Sequence, residues 1–291
     1  MKIAVASGKG GTGKTFVSTN LFALMKKRGL EVVFADCDAE VPNSGIFLDR
    51  EPGEIYKVKS FRPSINTDKC TMCGRCADYC EYNAITCVPE MDYIAVLPEL
   101  CHGCTACTYA CSEDAIEEGW ANIGQVSALR KNGVADVFEA RVRVRQMSPV
   151  PVLRKAVELA EAAEAEHIIM DAPPGCACPF VNTVIFADLT LLVTEPTPFG
   201  LSDLKHTIAV LRQLEKKFAV IINRADLGAE EMKQYLGEEG IELMAEIPYS
   251  EKIAERYSRG ELIIEYDEQI KEKFEQLLER IIKYEDSNNQ R

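Results

Sequence analysis

Two groups of residues in this chain have the types and spacing to do chemistry. Gly8 to Thr15, GKGGTGKT, fits the pattern G-x-x-x-x-G-K-[ST]. In such a loop Gly8, Gly10, Gly11, Thr12 and Gly13 supply backbone N–H groups that close around phosphate oxygens. The N-terminus of the following helix adds positive potential. Lys14 is expected to reach the β- and γ-phosphates of ATP, and Thr15 to hold Mg²⁺. A second lysine, Lys9, lies inside the loop, where by itself it could simply be solvated.

The second group is C-x₂-C-x₂-C-x₃-C, which occurs twice. Cys70, Cys73, Cys76 and Cys80 map at an offset of 31 residues onto Cys101, Cys104, Cys107 and Cys111, and Ala84–Ile85 maps onto Ala115–Ile116. Three thiolates of one run face a single iron–sulfur cubane, while the fourth ligates the other. One [4Fe–4S] cluster is therefore expected on Cys70, Cys73, Cys76 and Cys111, and a second on Cys80, Cys101, Cys104 and Cys107. The residue after each fourth cysteine, commonly proline, is Glu81 in one half and Ser112 in the other. Proline is not a ligand, so ligation should survive while solvation and potential change. Structural zinc on Cys₄ sets is the competing use of the same donors. Cys37 and Cys87 fall outside the repeat and read as buried thiols. His102, His167 and His206 form no i, i+4 pair; His102, beside Cys101, reads either as a plain loop residue or as a tuner of the potential.

These groups need a scaffold. Apolar, β-branched runs at 3–7, 32–36, 167–171, 189–194, 219–223 and 242–247 read as strands. Helical patterns at 15–28, 152–165, 202–217 and 230–239 alternate with them. That order predicts an α/β fold with a mostly parallel sheet covered by helices on both faces. A last helix near 267–284 carries Phe274, Leu277, Leu278, Ile281 and Ile282 on one stripe. The cysteine repeat interrupts the pattern as an inserted domain over 63–119, leaving a discontinuous outer domain at 1–62 and 120–291.

The chain has 291 residues, 47% apolar and 27% charged, with a net charge of −13. That charge argues against a nucleic-acid surface. Between Pro63 and Trp120 ten acidic residues face two basic ones, a net of −8. No run approaches the roughly 18 apolar residues of a membrane span, and no membrane partner is expected. The N-terminus reads as a strand rather than a signal peptide, so the expected compartment is the cytoplasm. Disulfides are rare there, which leaves metal as the leading account of the twelve cysteines.

KGGTGKT, with Lys9 and Lys14 together, resembles the deviant Walker A motif of the MinD/ParA class of ATPases, which includes the nitrogenase iron protein. The cysteine segment resembles a bacterial two-cluster ferredoxin. The combination resembles MinD-superfamily P-loop NTPases carrying an inserted α+β ferredoxin-like domain, over nearly the whole chain. The resemblance implies that Lys9 reaches the nucleotide of a second subunit in an ATP-dependent homodimer. It makes Asp38, in DCDAEVPN, the residue that orients the attacking water and touches the Mg²⁺ shell, with Asp36 a strand-end carboxylate. Asp171, in IIMDAPPG, becomes the Mg²⁺-side carboxylate. Asn223 and Pro248, in INRAD and IPYS, become adenine-side residues.

Three functions compete on this reading. The first is an ATP-gated redox protein that hydrolyses ATP and passes electrons through two clusters to an unknown redox protein. The second is an ATP-dependent iron–sulfur carrier serving an unknown acceptor, and the third is a MinD-like spatial organiser with structural clusters. The acidic charge and the lack of a basic amphipathic tail weigh against the third. Cys176 and Cys178, in PPGCACPF, follow Asp171 closely. Cys178 resembles one cluster cysteine of the nitrogenase iron protein in its spacing. Two such cysteines from each of two subunits would make a Cys₄ set for a third [4Fe–4S] cluster shared across the dimer. The plainer reading is two small thiols filling a tight loop.

Overall fold

The computed structural model describes residues 1–289. Among the described residues there are eleven strands: β1 (Lys2–Ala6), β2 (Val32–Asp36), β3 (Ile55–Ile65), β4 (Ile85–Val88), β5 (Tyr93–Val96), β6 (Ile116–Lys131), β7 (Val134–Val142), β8 (His167–Asp171), β9 (Leu189–Thr194), β10 (Phe218–Asn223) and β11 (Leu243–Ile247). The helices are α1 (Lys14–Lys27), α2 (Gly45–Leu48), α3 (Arg75–Asp78), α4 (Ala106–Ala110), α5 (Val150–Glu161), α6 (Cys178–Val184), α7 (Pro198–Gln213), α8 (Glu230–Glu238), α9 (Glu251–Ser258) and α10 (Glu268–Asn289).

Nine strands form one sheet in the order β11-β10-β9-β1-β8-β2-β7-β6-β3. The pairings from β11 to β7 are parallel, and β6 and β3 add an antiparallel edge. Along each central strand side chains point alternately to the two faces, as a period of two requires, and both faces are buried. In β1, Ile3 and Val5 face a layer built on α1 and α10. Ala4 and Ala6 face the opposite layer, built on α5, α6, α7 and α8. The expected α/β fold, with helices on both faces, is what the chain adopts. In α10, Phe274, Leu277, Leu278 and Ile281 are buried. Ile282 departs from the expected stripe and is 37% exposed. Among the described residues no helix is long and apolar enough to cross a membrane.

The antiparallel edge is what the periodicity did not announce. β3 and β6 pair continuously from Ile55↔Ser127 to Ile65↔Ile116. This ribbon begins against the sheet and carries residues 66–115 at its far end. There Phe61, Cys76, Ile85, Cys107 and Ile116 form a small core separate from the two main layers. Pro63 sits on β3, the outer edge strand, where a missing N–H is tolerated.

Candidate functional site

The phosphate loop connects β1 to α1 and is held by neighbours on both sides. Gly13 precedes α1 in a left-handed conformation, φ 99°, which favours glycine. A Cβ there would also fall 2.4 Å from Asn223 Nδ2. That amide instead donates to the Thr12 carbonyl at 2.9 Å, tying the end of β10 to the loop. Gly8 packs so close to α7 that a Cβ would lie 2.7 Å from both the Asp203 carbonyl and Thr207 Oγ1.

Beside the loop opens a cavity of about 440 Å³. Of the residues expected at the nucleotide, Gly10, Gly11, Gly13, Lys14, Thr15, Asp38, Asn223 and Pro248 line it. Gly8, Lys9 and Thr12 instead border a smaller recess against α7. Phe16, Tyr249, Ile253 and Tyr257 add an apolar wall, suited to the flat face of a base. Tyr257 stacks on Phe47, with ring centroids 4.7 Å apart.

Thr15 Oγ1 donates to Asp171 Oδ2 at 2.7 Å. Asp171 Oδ1 is buried and has no partner among the described residues. Burial pushes the Asp171 carboxyl up to about 6, against the pull of Lys14 and the Thr15 hydrogen bond. An orphaned carboxylate oxygen beside a hydroxyl and a lysine fits a Mg²⁺–phosphate ligand, since cation and phosphate together satisfy all three. Burial likewise raises Asp38, with Lys14 opposing it.

Two residues that the motifs did not single out organise this site. Asp36, expected to be only a strand-end carboxylate, is fully buried. It accepts from the backbone N–H groups of Asp38, Asn43 and Ser44 and from the Ser44 hydroxyl. Those bonds fold the loop that sets Asp38 at the cavity. Burial and the nearby Asp171 push Asp36 up to about 8. Glu195, past β9, holds Lys9 Nζ at 2.6 Å and also pairs with Arg224 at 2.9 Å. In a single chain, Lys9 is therefore ion-paired.

The loop after β8 is stitched to the phosphate loop by Gly175 N–H donating to the Ser7 carbonyl at 3.0 Å. Next to it Cys176 Sγ lies 3.2 Å from Thr207 Oγ1, and Cys178 is exposed at the first residue of α6.

At the far end of the ribbon, the cysteine repeat is a repeat in three dimensions. Ala84 N–H donates to Cys80 Sγ at 3.2 Å, and Ala115 N–H to Cys111 Sγ at 3.3 Å. The halves also exchange backbone bonds: Asn66 donates to the Ala115 carbonyl, and Leu97, 31 residues on, to Ala84. This exchange lays the end of each half against the start of the other. Cys111 thereby joins Cys70, Cys73 and Cys76 around one small cavity. On the other side Tyr82, two residues past Cys80, stacks on His102, with ring centroids 3.6 Å apart. Burial and the neighbouring Cys101 and Cys104 raise the Cys107 thiol. Burial, then Cys87 and Cys70, push Cys76 up to about 11. Cys37 is buried as expected, whereas Cys87 is only half-buried.

Among the described residues no three Cys, His, Asp or Glu side chains converge on a single metal ion. The four cysteines around the small cavity form an all-thiol donor set, which fits an iron–sulfur group and equally a structural zinc.

The sheet, the phosphate loop and the Thr15–Asp171 pair define a P-loop nucleotide-binding protein. More narrowly, the chain belongs to the CobQ/CobB/MinD/ParA nucleotide-binding domain family, whose profile matches residues 3–263. It is 31% identical over 279 residues to an uncharacterized protein of Methanocaldococcus jannaschii, covering 92% of this chain and 93% of that one. An iron-sulfur cluster carrier protein of Pyrococcus horikoshii is 23% identical over 308 residues, 97% of this chain and 85% of its own. The solved septum site-determining protein MinD with Mg-ADP, from the same organism, shares the fold with a TM-score of 0.60 at 19% identity. That match covers 96% of this chain and 95% of that one.

Proposed function

We propose that the protein binds and hydrolyses ATP and couples nucleotide-dependent dimerisation to electron transfer through two [4Fe–4S] clusters on an inserted ferredoxin-like domain, residues 63–119. The observation that carries this reading is the crossed cysteine set, in which Cys111 of the second repeat stands with Cys70, Cys73 and Cys76 around one cavity. Two independent Cys₄ knots would not need that exchange. When bound, such clusters supply one-electron transfer.

The chain's own residues do the rest. Lys14 counters charge on the β- and γ-phosphates, and Thr15 and Asp171, with Asp38 nearby, would hold Mg²⁺. Asp38 orients water toward the γ-phosphorus. The bond to the β–γ bridging oxygen breaks, giving ADP and phosphate. Lys9 leaves Glu195 and crosses to the nucleotide of a second copy. Asn223 clamps the loop while Pro248 and Tyr249 close over the base.

A second reading, an ATP-dependent iron–sulfur carrier, draws on Cys178, which is exposed beside the loop that follows Asp171. Relatives named iron-sulfur cluster carrier protein support it as well. The two readings separate in one experiment on anaerobic, reduced protein mixed with an oxidised viologen and, separately, with an apo-ferredoxin. Gated electron transfer expects ATP to change the rate of viologen reduction, with iron retained and the effect lost in Lys14→Ala. Iron and sulfide passing to the apo-ferredoxin on ATP addition, with viologen reduction unchanged by nucleotide, would establish the carrier instead.

A further inference from the structure

Residues 66–115 are attached to the sheet by the β3–β6 ribbon, and the two cysteine loops meet that ribbon differently. The second loop lies flat on it: a Cβ at Gly103 would fall 2.2 Å from Ser60 Oγ and 3.1 Å from the Phe61 carbonyl. The equivalent position in the first loop is Met72, at φ 56°, whose side chain rules out so close an approach. Ser60 and Phe61 precede Ile65, where β3 ends. The second loop therefore sits nearer the ATPase body than the end of the ribbon.

Arg62 joins this loop to the body. One terminal nitrogen donates to the Cys101 carbonyl, and the other donates to Gln146 Oε1 at 2.6 Å. Arg62 Nε is buried and has no partner among the described residues, so the guanidinium is held by those two acceptors alone. The counterpart of Arg62 at the 31-residue offset is Tyr93, uncharged and 51% exposed. Among the described residues the first loop has no such tie.

Gln146 stands in the segment between β7 and α5. At the end of β7, Val142 N–H donates to the Ala39 carbonyl at 2.8 Å. Ala39 is next to Asp38, which lines the nucleotide cavity. From that cavity to the Cys101 loop the connection thus runs through Ala39, Val142, Gln146 and Arg62, with each step a hydrogen bond or a few residues of chain.

We infer that Arg62 is a positioning residue that transmits movement of the Asp38 loop to the second cysteine loop. The cluster on Cys80, Cys101, Cys104 and Cys107 is then the nucleotide-responsive one, and the cluster on Cys70, Cys73, Cys76 and Cys111 is the outward port. The inference rests on the two-cluster reading above. A planar guanidinium bridging two acceptors cannot follow one without changing its bond to the other. A fixed positive charge beside a cluster also adjusts its potential through the local net charge and hydrogen bonding.

The test is a potentiometric EPR titration of the full chain, reconstituted anaerobically, with Mg-ADP and with a non-hydrolysable Mg-ATP analogue. Cys73→Ser and Cys104→Ser assign the two signals. In the unmodified chain the midpoint of the Cys104-dependent signal should shift between nucleotides, and that of the Cys73-dependent signal should not. Gln146→Leu, which removes the acceptor on the body side of Arg62, should keep both clusters and nucleotide affinity but lose the shift. Arg62→Gln should also lose it, and Arg62→Lys should restore part. A full shift in Gln146→Leu, or a shift that belongs to the Cys73-dependent signal, overturns the inference and leaves the two-cluster reading standing. Protein that binds nucleotide but holds no labile sulfide removes both.

Discussion

Thr15 Oγ1 and Asp171 Oδ2 are hydrogen-bonded at 2.7 Å across the end of the sheet, so the two groups proposed to hold Mg²⁺ already touch. Asp171 Oδ1 has no partner among the described residues. Asp171→Asn should therefore fold, because the hydroxyl contact survives with an amide, yet lose the charge that the ion requires. Removing the anionic partner of a metal site typically weakens binding about 10–100-fold. Calorimetry should show that loss for Mg-ATP, with little change for nucleotide in EDTA. Equal Mg-ATP affinity in the variant would remove Asp171 from the site.

Lys9 paired with Glu195 at 2.6 Å sets a competition between a contact within one chain and one across a dimer. Lys9→Ala should still bind ATP as a monomer but lose the ATP-induced dimer in light scattering. Glu195→Gln should strengthen that dimer, by no more than about fivefold, since partly exposed pairs contribute at most about 1 kcal/mol. A dimer unchanged in both variants would assign Lys9 to the surface.

His167, at the start of β8, offers a pH test away from the nucleotide. Burial and the N-terminal amine lower its pKa, while Glu285 and Glu166 oppose them. The unfolded chain then binds the proton more readily, so stability is intact above the ordinary histidine value near 6.5 and is lost as pH falls through it. Thermal melts should show a drop in Tm between pH 7 and pH 5 that His167→Gln reduces. An identical pH slope in that variant would assign the drop to other groups.

Cys176 and Cys178 give the shared-cluster proposal a count. Changing both to alanine should lower iron by about two per chain, half of one four-iron cluster. It should also weaken the ATP dimer while leaving the ferredoxin-like signals. Unchanged iron and unchanged ATP response would make them packing residues, in line with the contact between Cys176 and Thr207.

The central strands at 32–36, 167–171 and 189–194 were legible because both faces are buried, which leaves continuous apolar runs with sharp ends. The ribbon was not. Register shifts at Val58/Lys59 and Leu129/Arg130 break the period-two signal in β3 and β6. Helix α9 was also missed, because this short helix carries Ile253, Ala254 and Tyr257 as its apolar residues, too few to show a helical period, and they line the cavity. Within the candidate site, Lys14, Thr15 and the cysteines stood out as candidates because the chemistry proposed for them depends on short spacing. Asp36, Glu195 and Arg62 did not, because each acts through a partner, Ser44, Lys9 or Gln146, that only the fold brings near.

The central claim is the crossed pair of four-iron clusters, and the most direct measurement is iron and acid-labile sulfide on anaerobically purified protein, alongside Cys111→Ser. The account predicts about eight irons and eight sulfides per chain from residues 63–119, beyond any shared cluster. It also predicts that Cys111→Ser removes the signal that Cys73→Ser removes, although Cys111 lies in the other repeat. About two zincs per chain with no labile sulfide would contradict it, as would a Cys111→Ser variant that loses the signal belonging to Cys104.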